Sequence, residues 1–444
     1  MLRSRVIVAI LCAGLMASCT TFEDAPPTNR VSFVHFYSSS IPFVGRTAEV
    51  DTDGGFILSG EIRHSNGSTD ALIIKTDARG RKEWERIIPG GVIKDIKATE
   101  SHYIVTGDSI ALNPESSQVH ELVNSYARLM ILDKKGTITA SRITKKLVQQ
   151  VESGNSAWVN VDYYGDAVTF DNNGNILMLG SYRVPGENMR AYLAVFDPSD
   201  ITDSLEHISY TQLDHDYVNC NSIHVTPSSK AVWASRIYSA NQNLSRQYTL
   251  FPFVPLHGPT PPLSFDAAPS FGGNDNRSHA VQDIQRSPLG FAAIGTYAET
   301  NGQNANIYFI RLDAGYTVIP GSVRYIDGQQ LLLNNRLLAN ETKTSSDSQD
   351  EGLALAATDD GYVLAGSITS TPMIGNGGKD ILLIKLDPFG NLIWKKILGG
   401  SGDEVVSSIK ETSDKGLLIF GTNTINGLSS MMLIKTDALG NLDK

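Results

Sequence analysis

Four carboxylates set the first chemical question. Asp166, Asp216, Asp350 and Asp403 recur near the start of apolar, strand-like runs. Arranged around an axis, they could hold a cation or a cluster of sugar hydroxyls; equally, they could cap strands by accepting backbone N–H bonds. Asp214-His215-Asp216-Tyr217 is the densest polar knot in the chain. Its oxygens and imidazole are metal-ligand types, but in a strand neighbours point to opposite faces, so a solvated loop fits better. Trp158, Tyr163 and Tyr164 could stack on a sugar ring or a peptide, or plug a hub. Asp51-Thr52-Asp53-Gly54 and Asp171-Asn172-Asn173-Gly174-Asn175 begin like calcium loops, yet neither has the downstream bidentate glutamate at the required spacing. They read as turns, and no metal or cofactor is expected. The chain has no Gly-x-Ser-x-Gly elbow, His-Glu-x-x-His helix, Cys-x-x-Cys pair or Gly-Lys-Ser/Thr phosphate loop. No catalytic residue is assigned, although acids from distant segments can pair without a local signature.

Composition narrows the partners. The 444 residues carry 47 acidic and 37 basic side chains, a formal charge of −10. Such a balance repels phosphate backbones, and no basic run offsets it, so nucleic acid is not an expected partner. There are three cysteines. Cys12 and Cys19 fall in or at the end of the leader described next. Cys220 is then left without an intrachain disulfide partner and reads as a small buried apolar residue.

Residues 1–18 have the form of a signal peptide: a basic start with Arg3 and Arg5, then an apolar stretch from Val6 to Met16 too short for a stop-transfer helix. Leu15-Met16-Ala17-Ser18-Cys19 resembles the lipobox of bacterial lipoproteins, with Met16 where that family usually has leucine. The resemblance implies lipidation at Cys19 and anchoring in a membrane, the alternative being plain secretion with cleavage near Ala17 or Ser18. Thr20 rather than aspartate behind the cysteine favours the outer membrane, on its periplasmic or cell-surface face. Residues 19–30 then form the lipidated cysteine and a polar, proline-containing tether.

The rest of the chain, residues 31–444, repeats itself. Asp51-Thr52-Asp53-Gly54-Gly55-Phe56-Ile57-Leu58-Ser59-Gly60 followed by Asp70-Ala71-Leu72-Ile73-Ile74-Lys75-Thr76-Asp77-Ala78-Arg79-Gly80 and Trp84 has a close copy at residues 358–394. A third copy spans residues 413–441, and weaker ones lie between. Apolar runs of four or five bounded by Gly and Asp are strands buried on both faces. Asp-x-x-Gly segments supply turns. One repeat of about 60 residues cannot cover both faces alone, whereas a closed ring of repeats can. The reading is all-β: a seven-bladed propeller of four-stranded antiparallel blades. The last copy ends where a fourth strand should begin, and residues 31–37 form an orphan strand at the other end. The N-terminal strand is therefore expected to complete the last blade.

These motifs resemble the bacterial β-propeller repeat family, with its Asp-Gly-Gly-aromatic strand and its Leu-Ile-Lys-Thr-Asp-x-x-Gly-Asn-x-x-Trp strand. The resemblance is strong at both ends and thin over residues 210–290. It implies a propeller and no single activity. Long excursions at residues 108–126, 138–165 and 319–352 are expected on one face, and that face near the central channel is where a site belongs. Two readings follow. One is a non-enzymatic binding or scaffold lipoprotein for a protein or glycan partner. The alternative is a glycan-active hydrolase or lyase using Asp166, Asp216, Asp350 or Asp403.

Overall fold

A computed structural model describes residues 32–442 except 113–121, 145–146, 153–154, 188, 202–205, 210–215, 229, 240–245, 251–252, 256–269, 272–276, 300–303, 336, 338–348 and 372–373. Strand β1 (Phe33–Tyr37) comes first. The first blade is β2 (Phe43–Val50), β3 (Phe56–Arg63), β4 (Thr69–Thr76) and β5 (Lys82–Ile88). The second is β6 (Gly91–Ala98), β7 (His102–Leu112), β8 (Leu122–Asp133) and β9 (Ile138–Ile143). A hairpin, β10 (Leu147–Glu152) and β11 (Asn155–Asn160), precedes the third blade: β12 (Asp162–Phe170), β13 (Ile176–Arg183), β14 (Arg190–Phe196) and β15 (Glu206–Ser209). A wider sheet follows, built from β16 (Asp216–Val225), β17 (Lys230–Ser239), β18 (Arg246–Leu250), β19 (Phe253–Pro255) and β20 (Ser270–Phe271). The fourth blade is β21 (Arg277–Ser287), β22 (Gly290–Glu299), β23 (Asn306–Leu312) and β24 (Arg324–Ile326), after which comes helix α1 (Gly328–Asn334). The fifth is β25 (Glu351–Thr358), β26 (Gly361–Thr371), β27 (Ile374–Leu386) and β28 (Leu392–Leu398). The last is β29 (Asp403–Glu411), β30 (Leu417–Ile425) and β31 (Leu428–Thr436), with β1 at its outer edge.

The expectation of seven four-stranded blades is corrected to six. Between β15 and β21 the chain forms a five-stranded sheet instead. Its third position is split: β18 pairs with one end of β17 (Ser235 opposite Leu250) and β19 with the other (Val232 opposite Phe253). Proline stands at both ends of the short β19 segment in the sequence, as Pro252 and Pro255, and proline cannot donate to a ladder. This is the stretch where the repeat is thinnest. Two expected connections also contain strands. Residues 138–143 are β9, and 319–352 contain β24 and α1.

Closure works as the orphan strand suggested. β1 pairs antiparallel with β31, Phe33 opposite Lys435 and Tyr37 opposite Met431. It also replaces the missing tryptophan. In the first blade Trp84 lies over Gly136 of the next blade and donates Nε1–H to the Lys134 carbonyl at 3.0 Å. In the fifth, Trp394 lies over Gly440. On β1, Phe33 and His35 cover Gly80, and Tyr37 donates to the Gly80 carbonyl at 2.6 Å. The first blade is thus gripped as its neighbours are.

The repeat motifs have local causes. Asp77, Asp133, Asp171, Asp313, Asp387 and Asp437 each accept two backbone N–H bonds from the turn that follows, at 2.7–3.0 Å. The Asp51 and Asp171 segments are therefore turns, as read, each closed by a glycine N–H on the aspartate carbonyl. The lysine of the Leu-Ile-Lys strand is buried and reaches back to an acid of the neighbouring turn. Lys75 meets Asp53 at 2.7 Å, Lys435 meets Asp414 at 3.0 Å, and Lys385 meets Asp360. Apolar faces of adjoining sheets interlock between these charged ends. Leu177 and Leu193 pack with Trp233, for example, and Ile294 and Phe309 with Leu364 and Leu382. Cys220 is buried in the first of these clusters.

Candidate functional site

The innermost strands meet at a central channel, and one device shapes it. Each inner strand carries a β-bulge whose extra residue lines the channel: Arg46, Lys94, Asp166, Ser222, Gln282, Leu353 and Ser407; β16 has a second register shift, between Tyr217 and Asn219. A bulge leaves one residue unpaired and re-aims it. Here it turns side chains onto the axis. The cavity they enclose is about 220 Å³, and its lining is mostly polar.

These polar groups are tied to one another across blade boundaries. The residue after the bulge accepts the N–H of the next blade's inner strand. Asp95 takes Val168 N at 2.9 Å, Asp283 takes Leu355 N at 3.0 Å, and Ser408 takes Ala48 N at 3.1 Å. At the same three junctions a second bond runs alongside. Gly165 N donates to Asp108 at 3.0 Å, Gly352 N to Thr296 at 3.2 Å, and Gly45 N to Thr422 at 3.0 Å. The glycine is sterically required. A Cβ on Gly45 would lie 2.4 Å from the Gly421 carbonyl oxygen, and one on Gly352 would lie 2.4 Å from that of Gly295.

Charges complete the hub. Lys94 sits between Asp108 at 2.8 Å and Asp166 at 2.9 Å, while Ser181 donates to the far oxygen of Asp166 at 3.1 Å. Burial disfavours the charge on Lys94, but the two carboxylates outweigh it and hold the ammonium above the ordinary lysine range. Burial pushes Asp108 up to about 6, with Asp166 adding to the shift and Lys94 opposing it. Glu49 lies 3.7 Å from both Lys97 and Lys410, and these hold its carboxyl low against the effect of burial. Asp283 accepts from Ser222 at 2.5 Å. His224 donates its Nε2–H to the Ile284 carbonyl, 2.7 Å away, and burial depresses its pKa to about 4, so it is neutral at physiological pH. Among the described residues, no three His, Cys, Asp or Glu side chains gather as a metal cluster.

The four aspartates proposed as a ring do not form one. Asp166 is a bulge residue on the channel. Asp350 lies three residues before its bulge, is 1% exposed, and accepts the Gly328 N–H at 2.7 Å; burial pushes it up to about 7. Asp403 lies four residues before its bulge, is exposed, and accepts the Lys379 N–H at 2.8 Å. Asp216 opens β16, opposite Tyr238. Their different offsets from the bulge place them at different depths, so they share no axis. Asp214 and His215 lie outside the described residues, and Tyr217 is on β16 opposite Ile237. Trp158 is on the β10–β11 hairpin, opposite Gln149. Tyr163 is 3% exposed and stacked on Tyr182 with centroids 5.5 Å apart, so it is core rather than a platform. Tyr164 is half-buried with the Lys94 ammonium 5.3 Å from its ring centre.

No protein-family model matches the chain, and no curated protein matches it. Solved structures similar to it include a sialidase of Trypanosoma rangeli, with 10% identity, a TM-score of 0.40, and coverage of 91% of this chain and 57% of that one. They also include a protein of unknown function from Dyadobacter fermentans at 11% identity and TM-score 0.42, covering 92% and 98%. A subtype N10 neuraminidase-like protein of A/little yellow-shouldered bat/Guatemala aligns at 10% identity and TM-score 0.37, covering 92% and 99%. This chain thus spans under two thirds of the sialidase chain. At such identities the likeness concerns the fold alone.

The two ends of the channel differ. One is built from the tight Asp-Gly and Asp-x-x-Gly turns. The other receives the connections between second and third strands and between blades. It carries the β10–β11 hairpin, helix α1, the long β26–β27 hairpin and a cleft between residues 40–42 and 63–70. In that cleft His64 meets Asp70 at 2.9 Å. Sequence reasoning found this face from loop lengths. Of the bulge residues it named only Asp166 and missed the others, although Lys94-Asp95-Ile96, Gln282-Asp283-Ile284 and Ser407-Ser408-Ile409 share one pattern.

Proposed function

We propose that this protein is a non-enzymatic binding or scaffold module of the cell envelope, lipid-anchored through Cys19 at the outer membrane. It recruits a protein or glycan on the face that carries the β10–β11 hairpin, α1 and the cleft by His64. One observation carries the reading. The channel carboxylates that a glycan-cleaving site would draw on, Asp166 first among them, are engaged in bonds between blades. A carboxylate held at 2.9 Å by a lysine and at 3.1 Å by a serine is a joint of the ring. Variable connections on one face of a rigid scaffold are, by contrast, where partner recognition concentrates.

The test is photocrosslinking in intact cells, with a photoreactive residue at Trp158 or Asn66 on the loop face and at Leu439 on the turn face. A glycan array is run in parallel with the purified protein. Discrete crosslinks or glycan retention that depend on Trp158 or Asn66 support the reading. Crosslinks only from Leu439, or glycoside turnover abolished by Asp166→Asn, overturn it.

A further inference from the structure

We propose that the rim of the turn face lies on the membrane surface, with Phe389 and Leu439 dipped into the lipid and Arg79 and Lys135 on its headgroups. This rests on the lipid anchor at Cys19 proposed above and adds which face meets the membrane. The four residues share one repeat position, the third of the Asp-x-x-Gly turn that leads to a blade's outermost strand. In each turn the backbone N–H at that position donates to the aspartate at 2.8–2.9 Å, and the side chain is exposed. An arginine or a lysine closes the turn as well as an apolar residue does, so the fold does not demand Phe389 or Leu439. Yet these two, at 64% and 57%, are the most exposed large hydrophobic residues among those described. The four turns are consecutive around the ring. Trp394 of the fifth blade lies against Gly440 of the last, β1 of the last against Gly80 of the first, and Trp84 of the first against Gly136 of the second. The rim therefore runs Phe389, Leu439, Arg79, Lys135: two apolar tips, then two cationic ones.

The point where the chain enters selects lipid as the occupant. β1 runs antiparallel to β31, so Phe33 lies opposite Lys435, beside the Leu439 turn, and packs on Gly80. His35 donates Nε2–H to the Arg79 carbonyl at 3.0 Å. The chain from Cys19 thus arrives in the middle of the arc, between its apolar and cationic halves. Residues 19–31, even fully extended, span at most ~45 Å. A lipid held by Cys19 stays within that reach of the four tips. Apolar side chains that enter the headgroup boundary beside cations that meet phosphates are the two contacts an interfacial surface makes. Acids on the same face are held by lysines: Asp53 by Lys75 at 2.7 Å, Asp414 by Lys435 at 3.0 Å and Asp359 by Lys415 at 2.6 Å. The loop face exposes apolar residues too, Ile425 and Leu428 among them, but it lies at the far end of the strands from the point of entry. Docked by its turns, the protein presents the β10–β11 hairpin and α1 away from the membrane.

The experiment uses the lipid-modified protein, purified from membranes and reconstituted into vesicles of phosphatidylethanolamine and phosphatidylglycerol. A polarity-sensitive dye is attached to Ala438→Cys, at the tip of the Leu439 turn, or to Leu428→Cys, on the loop face of the same blade; Cys220 is buried and stays unlabelled. A blue shift and quenching by spin-labelled lipid are expected at position 438, and neither at 428. Phe389→Ser combined with Leu439→Ser should abolish both signals while the protein still floats with the vesicles. These side chains are exposed and the turn bonds are made by backbone, so the variant remains folded. A dye at 438 as wet as one at 428, or quenching at 428 instead, in protein that floats, would overturn the docking and leave the anchor standing. A blue shift at 438 that needs added envelope protein would overturn it as well, giving the tips to a protein partner. Parent protein that does not float with the vesicles would remove the anchor, and this proposal with it.

Discussion

Lys94 on the inner strand of the second blade and Asp166 on the inner strand of the third approach to 2.9 Å across the boundary between them. Both are bulge residues, so the same backbone irregularity that aims them at the channel makes them meet. Asp108 adds a bond from Lys94 and accepts the Gly165 N–H, so this junction is held by side chains of both blades and by backbone. Comparable pairs of bonds recur at two other junctions, and the hub is a chain of such joints.

The steric argument at the bulges gives a ranking. Gly45→Ala brings a methyl to 2.4 Å from the Gly421 carbonyl oxygen. It should cost about 1–3 kcal/mol, as overpacking does. Gly54→Ala meets nothing within 4 Å and faces only its positive φ of 82°, so about 1 kcal/mol is expected. Urea unfolding of the two variants measures the order. Equal losses, or the reverse order, would show that the blades do not meet through Gly45.

Closure by β1 gives a second expectation. Tyr37→Phe removes the bond to the Gly80 carbonyl and should lower stability by about 0.5–1.5 kcal/mol. Gly80→Ala should cost more, because its methyl would lie 2.5 Å from the Phe33 ring at a φ of 74°. Both variants should also raise protease cleavage near residue 32. Wild-type protection in both would mean that β1 does not close the ring.

Asp350 gives a pH signature. Its folded pKa, about 7, lies above its unfolded value because burial disfavours the charge. Its contribution to stability is therefore complete below the unfolded pKa and is lost as pH rises through about 7. Asp350→Asn keeps an oxygen for the Gly328 N–H and cannot ionise. The variant should match the parent near pH 4 and exceed it at pH 8 by on the order of 1–3 kcal/mol. Chemical denaturation at the two pH values reads the difference directly, and a variant less stable than the parent at pH 8 contradicts the assignment.

How far the sequence could be read follows from what repeats. Doubly apolar runs, Asp-x-x-Gly turns and the strand from Phe33 to Tyr37 carry local or paired signals, so the propeller and its closure were legible. The sheet between β15 and β21 was not, since prolines punctuate its third position and the repeat dissolves there. The channel was half legible. The aspartates were noticed by type, but a bulge shifts the face by one residue. Asp166 therefore enters the channel while Asp350 and Asp403, at other offsets, do not. Gly45, Gly165 and Gly352 just before a bulge mark the receiving blade of each joint, a signal visible only once the register is known.

The claim beneath all of this is that ionised groups in the channel hold blades together. A double-mutant cycle on Lys94→Met and Asp166→Asn, read by equilibrium unfolding, tests it most directly. A coupling of about 0.5–3 kcal/mol between the two sites is the expected result. Single variants as stable as the parent, with coupling indistinguishable from zero, would contradict it and return Asp166 to the pool of groups free to act on a ligand.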